Sequence, residues 1–454
     1  MSTNISRRKV VAGAAWAAPV VAASAVVPAF ASSTECEWAS SAAYSVEGTS
    51  AGAKSTTSFI VPERVDKIKF EVVGGAGGTN YDDIAAGSGA KITGIIEVKP
   101  GQTVQLVGAA GGIGIDPLTP AEGGEGYGNG GSSNLPTPIP ASVMQRVNAI
   151  WPDSSSLKRI IYSASGGGSS ALVINGTPVA VAGGGGGAGF VNSGGANNNP
   201  KYAEAGAVDA GRLWPSGAKR NVYPVIGSTG GSADGAAGSA GNQGALTYAA
   251  DTSVTTTVNA GEGGSAGIGG NGGAKTDLPS GKSPNGVLGY SSANNQEIYA
   301  SSKSGNQGGD GFKGNGGDGV GSYSYLIDNN DRTKKEEGTH NGSGYALEYK
   351  SIGYNFNGYE SVISAGGGAG YGGGGSGAST SSSAIVLTQK WNNNPNGLRQ
   401  NVGFAQFGGG GGAGGSYVAP GVSGGTIESA GNAPTARGKR GNGYVKVTLC
   451  QRTA

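Results

Sequence analysis

The sequence predicts a mostly β protein in which short apolar strands alternate with glycine helices of the polyglycine-II type. Three observations carry this. Gly makes up 93 of the 454 residues, far above the usual ~7%. Apolar runs with strand periodicity lead straight into glycine runs. In Ser169–Phe190, SSALVINGTPVAVAGGGGGAGF, Asn175-Gly176 separates two apolar runs, and the second ends in Gly183, Gly184, Gly185, Gly186 and Gly187. Asn-Gly between apolar runs is the strongest short hairpin signal, because both central residues of a type I′ turn need φ > 0. Ordered glycine loses more backbone entropy than any other residue, so contacts must offset it. Collagen is excluded, because no strict Gly-X-Y period runs through these regions and Pro numbers only 19. A flexible linker would not carry 36% hydrophobic residues in alternating runs.

Residues 1–31 read as an export signal. Arg7-Arg8 in SRRKVV is a twin-arginine motif, followed by a weakly hydrophobic run to Val27, and Ala29-Phe30-Ala31 is an A-x-A cleavage site. Val10 stands where the motif usually has Phe, so general secretion stays open as the route. Cleavage removes Arg7, Arg8 and Lys9, taking Lys+Arg from 31 to 28 against 29 Asp+Glu, a net charge of −1. That leaves no basic patch for nucleic acid. The membrane is expected to matter only during export. Cys36 and Cys450 stand near the two mature ends, and an even count in an exported chain argues for one disulfide, with free thiols as the alternative.

Residues 32–57 form an N-terminal segment, and 58–454 the glycine-rich domain. Ile68, Phe70 and Val72 alternate as a strand and run into Gly74–Gly78. Lys91–Val98 and Thr103–Val107 flank a Pro100-Gly101 turn. Ile113–Ser165 is an insertion with one short apolar piece, Val143–Trp151, that suits a helical turn. Beyond the hairpin come polar insertions and further glycine segments. Val362–Ala365 leads into Gly366, Gly367 and Gly368. Phe404–Phe407 leads into Gly408, Gly409, Gly410, Gly411 and Gly412. Gly443–Cys450, GYVKVTLC, closes the chain as a strand alternating Val445, Val447 and Leu449.

The grammar is strand, glycine run, polar insertion. A glycine segment can adopt a left-handed threefold helix. Without Cβ atoms several such helices pack side by side, each N–H bonding a neighbour's C=O. Gly185→Val is therefore expected to be severely destabilising, and a similar change at Ser379, in a polar insertion, nearly neutral.

The order strand–GGAGG, strand–PG–strand–G and then ALVINGTPVAVAGGGGGAG resembles the glycine-rich extracellular domain of the anaplastic lymphoma kinase and leukocyte tyrosine kinase receptors. The resemblance spans roughly Ser58–Leu449. It implies a jelly-roll-like β-sandwich with an inserted bundle of polyglycine helices and long polar loops. The bundle is also similar to that of some phage tail-tip adhesins, whose loops bind the host. No kinase segment or receptor-style cysteine set is present, so signalling is not implied.

The residues hold little catalytic chemistry. His340 is the one histidine, which disfavours Ser-His-Asp, Cys-His and multi-His sites. Gly263–Gly267 matches G-x-S-x-G without the strand and helix a nucleophile elbow needs. Asp310 and Asp318 sit in Gly-Gly-Asp-Gly repeats, but Lys313 and Gly321 stand where a calcium nonapeptide needs Asp. Asp82-Asp83 and Glu336-Glu337 read as loop charge. No cofactor is expected. Tyr, Asn and Trp crowd the insertions, and Tyr323, Tyr325, Tyr354, Phe356, Tyr359 and Trp391 are the candidate ligand contacts, since such residues give large area at low entropy cost. The expected function is a secreted, non-catalytic binding or surface protein with a glycan or protein partner. A self-assembling envelope protein and a carboxylate-dependent polysaccharide hydrolase are the alternatives.

Overall fold

Two sheets face each other around one apolar core. In this computed structural model the described residues are 36–80, 85–136, 138–150, 158–195, 244–249, 253–275, 296–328, 335–340, 343–348, 358–388 and 399–452. One sheet has the order Cys36–Trp38, Tyr444–Arg452, Val65–Val73, Ala90–Glu97, Ser423–Ser429, with Tyr44–Glu47 also pairing with Tyr444–Arg452. The other runs Tyr417–Val418, Thr177–Ala182, Ser170–Ile174, Thr103–Gly108, Ser55–Ile60. The strand period of two sends Ile68, Phe70 and Val72 inward from the first sheet, to meet Val104, Leu106 and Leu172 of the second. Burying each such side chain contributes about 1.5–3 kcal/mol. The fold is thus a β-sandwich, as expected. Asn175 and Gly176 take φ of 49° and 80° between paired strands, the predicted hairpin turn.

Residues 36–57 contribute strands to the sandwich. Cys36–Trp38 and Tyr44–Glu47 pair with the last strand, and Tyr44 stacks on Phe59 at 3.8 Å. Cys36 and Cys450 form a disulfide across a sequence separation of 414, with Cα atoms 5.3 Å apart.

The glycine runs leave the sandwich as a bundle of extended segments. From the central run, Gly184 donates to Ala369 and Gly187 to Gly366, while Gly185 donates to Gly75 and Ala188 to Gly78. Bonds to a given neighbour recur at every third residue, the period of a polyproline-II-type helix. The missing side chains follow the same period. A Cβ on Gly183 or Gly186 would come within 3.0 Å of a carbonyl in the Gly411–Gly414 segment. On Gly184 or Gly187 it would meet the Ala164–Gly167 segment, and on Gly185 Gly87. Gly366, Gly367, Gly368, Gly409, Gly411 and Gly412 have the same close approach to a carbonyl, while a Cβ on Gly408 would meet the Ser163 hydroxyl, and Gly410 is buried among them.

Where the bundle runs out of neighbours, Asn, Asp and Ser side chains supply the missing carbonyls. Asn432 Oδ1 accepts from Gly89 N at 3.0 Å, Asn442 Oδ1 from Gly111 N at 3.0 Å and Asn315 Oδ1 from Asn129 N at 2.9 Å. Asp318 Oδ1 accepts from Ser132 N at 2.8 Å and Asp310 Oδ1 from Gly269 N at 2.7 Å. The two Gly-Gly-Asp-Gly aspartates therefore satisfy backbone donors at the bundle edge, where unpaired amides would be costly.

Tight turns close the bundle at the sandwich end. Ala266, Gly267, Gly311 and Gly372 take φ between 50° and 82°, and Gly311 N donates to Gly267 O at 2.8 Å while Gly372 N donates to Gly311 O at 2.9 Å. Ser265 of the G-x-S-x-G match belongs to such a turn, bridged to Ile268, and has no nucleophile-elbow setting. Phe312 stacks on Tyr371 at 4.6 Å and meets Tyr417 edge-on at 4.9 Å. Phe312 and Tyr417 pack on Val173 and Val181, fastening these turns to the sandwich.

Candidate functional site

The long connections between glycine segments all leave and re-enter at the other end of the bundle. Backbone bonds hold their starting points together there. Ser163 N donates to Ile363 O, Ser364 N to Val320 O, Gly319 N to Ser132 O, Gly409 N to Ala378 O and Ala378 N to Asn259 O, all at 2.8–2.9 Å. The sandwich strands join the opposite end, at Gly74, Ser169 and Gly183. This far end is the candidate site. Its rim also carries Ile115 and Leu118, 45% and 63% exposed. An Asp116 turn holds Leu118 in place, with Leu118 N donating to Asp116 Oδ1 at 2.7 Å.

Two four-stranded sheets rise from it. One is ordered Gln296–Tyr299, Gly321–Asp328, Gly358–Ile363, Lys158–Tyr162, the last pair parallel; the other is ordered Phe190–Gly195, Arg399–Gly408, Ser379–Thr388, Ser301–Lys303. Residues expected to form a loop around Tyr323 and Tyr325 are thus strand. The sequence GSYSYLID explains why: Ser and Tyr alternate with period two, giving one serine face and one tyrosine face.

The serine faces meet between the sheets. Ser322 Oγ lies 2.7 Å from Ser379 Oγ and Ser324 Oγ 2.8 Å from Ser381 Oγ; within the second sheet, Ser302 Oγ lies 2.9 Å from Thr380 Oγ1, its partner on the adjacent strand. Ser322, Ser324, Ser379, Thr380 and Ser381 are fully buried. Small side chains are required because these strands continue directly from closely packed glycine helices. The expectation that Ser379 tolerates substitution is corrected by this geometry. Ser322 Oγ also donates to the Ser379 carbonyl at 2.9 Å and keeps that bond in Ser379→Val. The cost of that change, about 1–3 kcal/mol, comes from forcing a larger branched side chain into a fully buried contact.

The tyrosine face points outward. Tyr299 is opposite Tyr325, and Tyr325 opposite Tyr359, a ladder across three strands. Tyr299 stacks with Tyr323 at 4.9 Å and with Tyr325 at 5.2 Å. The helix Ala141–Ile150, close to the predicted helical piece, covers them. Ile139, Val143 and Val147 are buried with Tyr325, which is 7% exposed, while Tyr299, Tyr323 and Tyr359 are partly buried. Of the candidate ligand contacts, Tyr323, Tyr325 and Tyr359 therefore come together under a helix, and Tyr354, Phe356 and Trp391 lie outside the described residues. So do Arg7, Arg8, Ala29, Ala31 and Asp82-Asp83. Tyr299 was missed, as was the role of the expected helical piece as a cover, because both stand far from the other tyrosines in sequence. The signal available was the shared spacing of tyrosine in short strands.

Burial, and then the hydroxyl of Tyr299, push the Tyr323 phenol up to about 12. Burial, and then the Glu71 carboxylate that accepts its hydrogen bond, push Tyr444 up to about 12 as well. Both folded values lie above the unfolded value of about 10. The neutral phenols therefore stabilise the fold fully below about pH 10, and this contribution is lost as pH rises towards 12. An alkaline titration of phenolate absorbance should show these two tyrosines ionising late, together with falling thermal stability. A titration in which every tyrosine of the folded protein, Tyr323 and Tyr444 included, ionises at about pH 10 would refute their placement.

Among the described residues no group of three or more His, Cys, Asp or Glu could hold a metal. No helix among them is long and apolar enough to cross a membrane. No family model and no curated protein sequence matches this chain.

Proposed function

We propose that this chain is an exported, non-catalytic binding protein of the cell surface, with a glycan or protein partner held at the far end of its glycine bundle. The observation that carries the reading is the common exit of the polar, Tyr- and Asn-rich connections, away from the sandwich. A bundle whose neighbours are separated by backbone alone leaves little room to bend, so it fixes those connections at low entropy cost. The disulfide suits an oxidising compartment, and the signal at residues 1–31 would place the mature N-terminus at Ser32. The resemblance to the glycine-rich receptor domains supports a scaffold that presents a surface to partners.

The test is a glycan array and a whole-cell binding assay on residues 32–454. Saturable binding is expected, lost when residues 354–357, which precede the strand carrying the covered Tyr359, are replaced by Gly and Ser while the melting temperature holds. Polysaccharide turnover abolished by changing one or two acids would overturn the reading in favour of a hydrolase. Ordered multimers without any ligand would overturn it in favour of an envelope protein.

A further inference from the structure

We infer that the strand Ser55–Ile60 pairs with the same strand of a second copy of this chain, joining two sandwiches edge to edge. The strand is the last of its sheet and pairs with Thr103–Gly108. Directly opposite residues of antiparallel strands either bond each other or both face away. Thr103, opposite Ile60, donates to Asn175 Oδ1 and accepts from Asn175 N, both at 2.9 Å, on its other side. The N–H and C=O of Ile60 therefore face the open edge, and by the alternation of the ladder so do those of Ser58 and Thr56. Among the described residues nothing bonds these outward groups. All three residues are exposed, Ile60 by 66%. The opening is bounded at both ends. The Glu125 carboxylate accepts from Lys54 N at 3.4 Å, while Pro62 has no N–H and its carbonyl accepts from Val65 N.

Open edges invite strand addition, and proteins block them with charge, bulges or very short strands. The other edges of the sandwich are blocked in these ways. Ser423–Ser429 has a register shift between Ser423 and Thr426 and carries Glu428, paired with Lys91 at 3.1 Å. Tyr417–Val418 has two residues, and the short strands Cys36–Trp38 and Tyr44–Glu47 carry Glu37 and Glu47. STTSFI has no charge, no proline and no bulge. It carries no charge that would select a foreign peptide, and it is its own complement. Antiparallel pairing centred on Ser58 sets Ser58 against Ser58, and Thr56 against Ile60, of the second copy. Every outward N–H and C=O of the three residues then finds a partner, β-branched side chains meet across the seam, and no like charges are opposed. Ser55 lies opposite Gly108, where its partner strand passes into the glycine segments, so the strand runs away from the bundle. Antiparallel pairing therefore points the two bundles in opposite directions. The contact is two-fold and closes on itself, giving pairs and not the ordered multimers of an envelope protein. If the far end binds as proposed, such a pair is bivalent and bridges two surfaces; the pairing itself does not rest on that reading.

Sedimentation equilibrium of residues 32–454 over a range of concentrations tests this without any ligand, so it fails or succeeds independently of the binding assay. A monomer–dimer equilibrium is expected. Two double variants then read the register. Thr56→Lys with Ile60→Lys opposes like charges across the seam, whereas Thr56→Lys with Ile60→Glu opposes unlike ones. The second should dimerise roughly ten-fold or more tightly than the first. Both positions are exposed, so both variants should keep the parent's melting temperature. A parent that stays monomeric up to about 1 mM would overturn the proposal. So would self-association that is equally strong in the two variants, or assembly that grows beyond the dimer.

Discussion

Gly185→Val is expected to abolish the folded state at ambient temperature, or to lower the melting temperature by more than any substitution in the polar connections. The Cβ alone would lie within 3.0 Å of the Gly87 carbonyl, and the obstruction is backbone, not a flexible side chain. Relief requires moving a whole segment, and Gly185 N also donates to Gly75 while Gly185 O accepts from Gly167. Parting the segments breaks bonds on several sides at once, which places the effect above the ~4–5 kcal/mol that marks exceptional single substitutions. Gly421 is the control: a Cβ there meets nothing within 4 Å and its φ is not positive. Gly421→Ala should be neutral, or stabilise by up to about 1 kcal/mol through the unfolded chain. Thermal melts of both variants decide the matter. Equal, small shifts would mean that the glycine runs do not pack as described.

The second large effect concerns the clasp between the ends. Replacing Cys36 and Cys450 together by Ser should cost up to about 5–6 kcal/mol, because the bond closes a loop of 414 positions and the unfolded chain regains that entropy. The fold itself should survive, since Cys36–Trp38 still pairs with Tyr444–Arg452 and Tyr44 still stacks on Phe59. Denaturant unfolding of the oxidised and double-Ser proteins measures the difference. A loss below about 1 kcal/mol would show that strand pairing alone holds the ends together and that the chain-entropy account overstates the clasp.

Much of the sandwich was legible in the sequence, for local reasons. Ile68, Phe70 and Val72 alternate because a strand has two faces, and Asn175-Gly176 turns because both residues tolerate positive φ. The two cysteines left one possible intramolecular pairing. The threefold character of the glycine runs was also accessible, since no other regular structure accommodates a buried segment without side chains. The serine and tyrosine faces of Gly321–Asp328 were written in its period of two, though the polar composition read as loop. Of the candidate contacts, Tyr323, Tyr325 and Tyr359 lie together under the helix, a cover their own sequence context did not indicate.

What the tertiary structure decided is who neighbours whom. A glycine helix carries no side chain to announce its partners, so nothing in Gly183–Gly187 indicates that it lies between Gly75, Ala369 and Gly414. The choice is made by backbone bonds that every glycine segment offers alike, and by which strands and connections tether each segment's ends. The same tethering put the sandwich at one end of the bundle and the polar connections at the other, buried Ser379 against Ser322, and laid Ala141–Ile150 over tyrosines more than a hundred residues away. Sequence patterns report the faces of single elements, and contacts made through backbone or across such separations leave no local period to read.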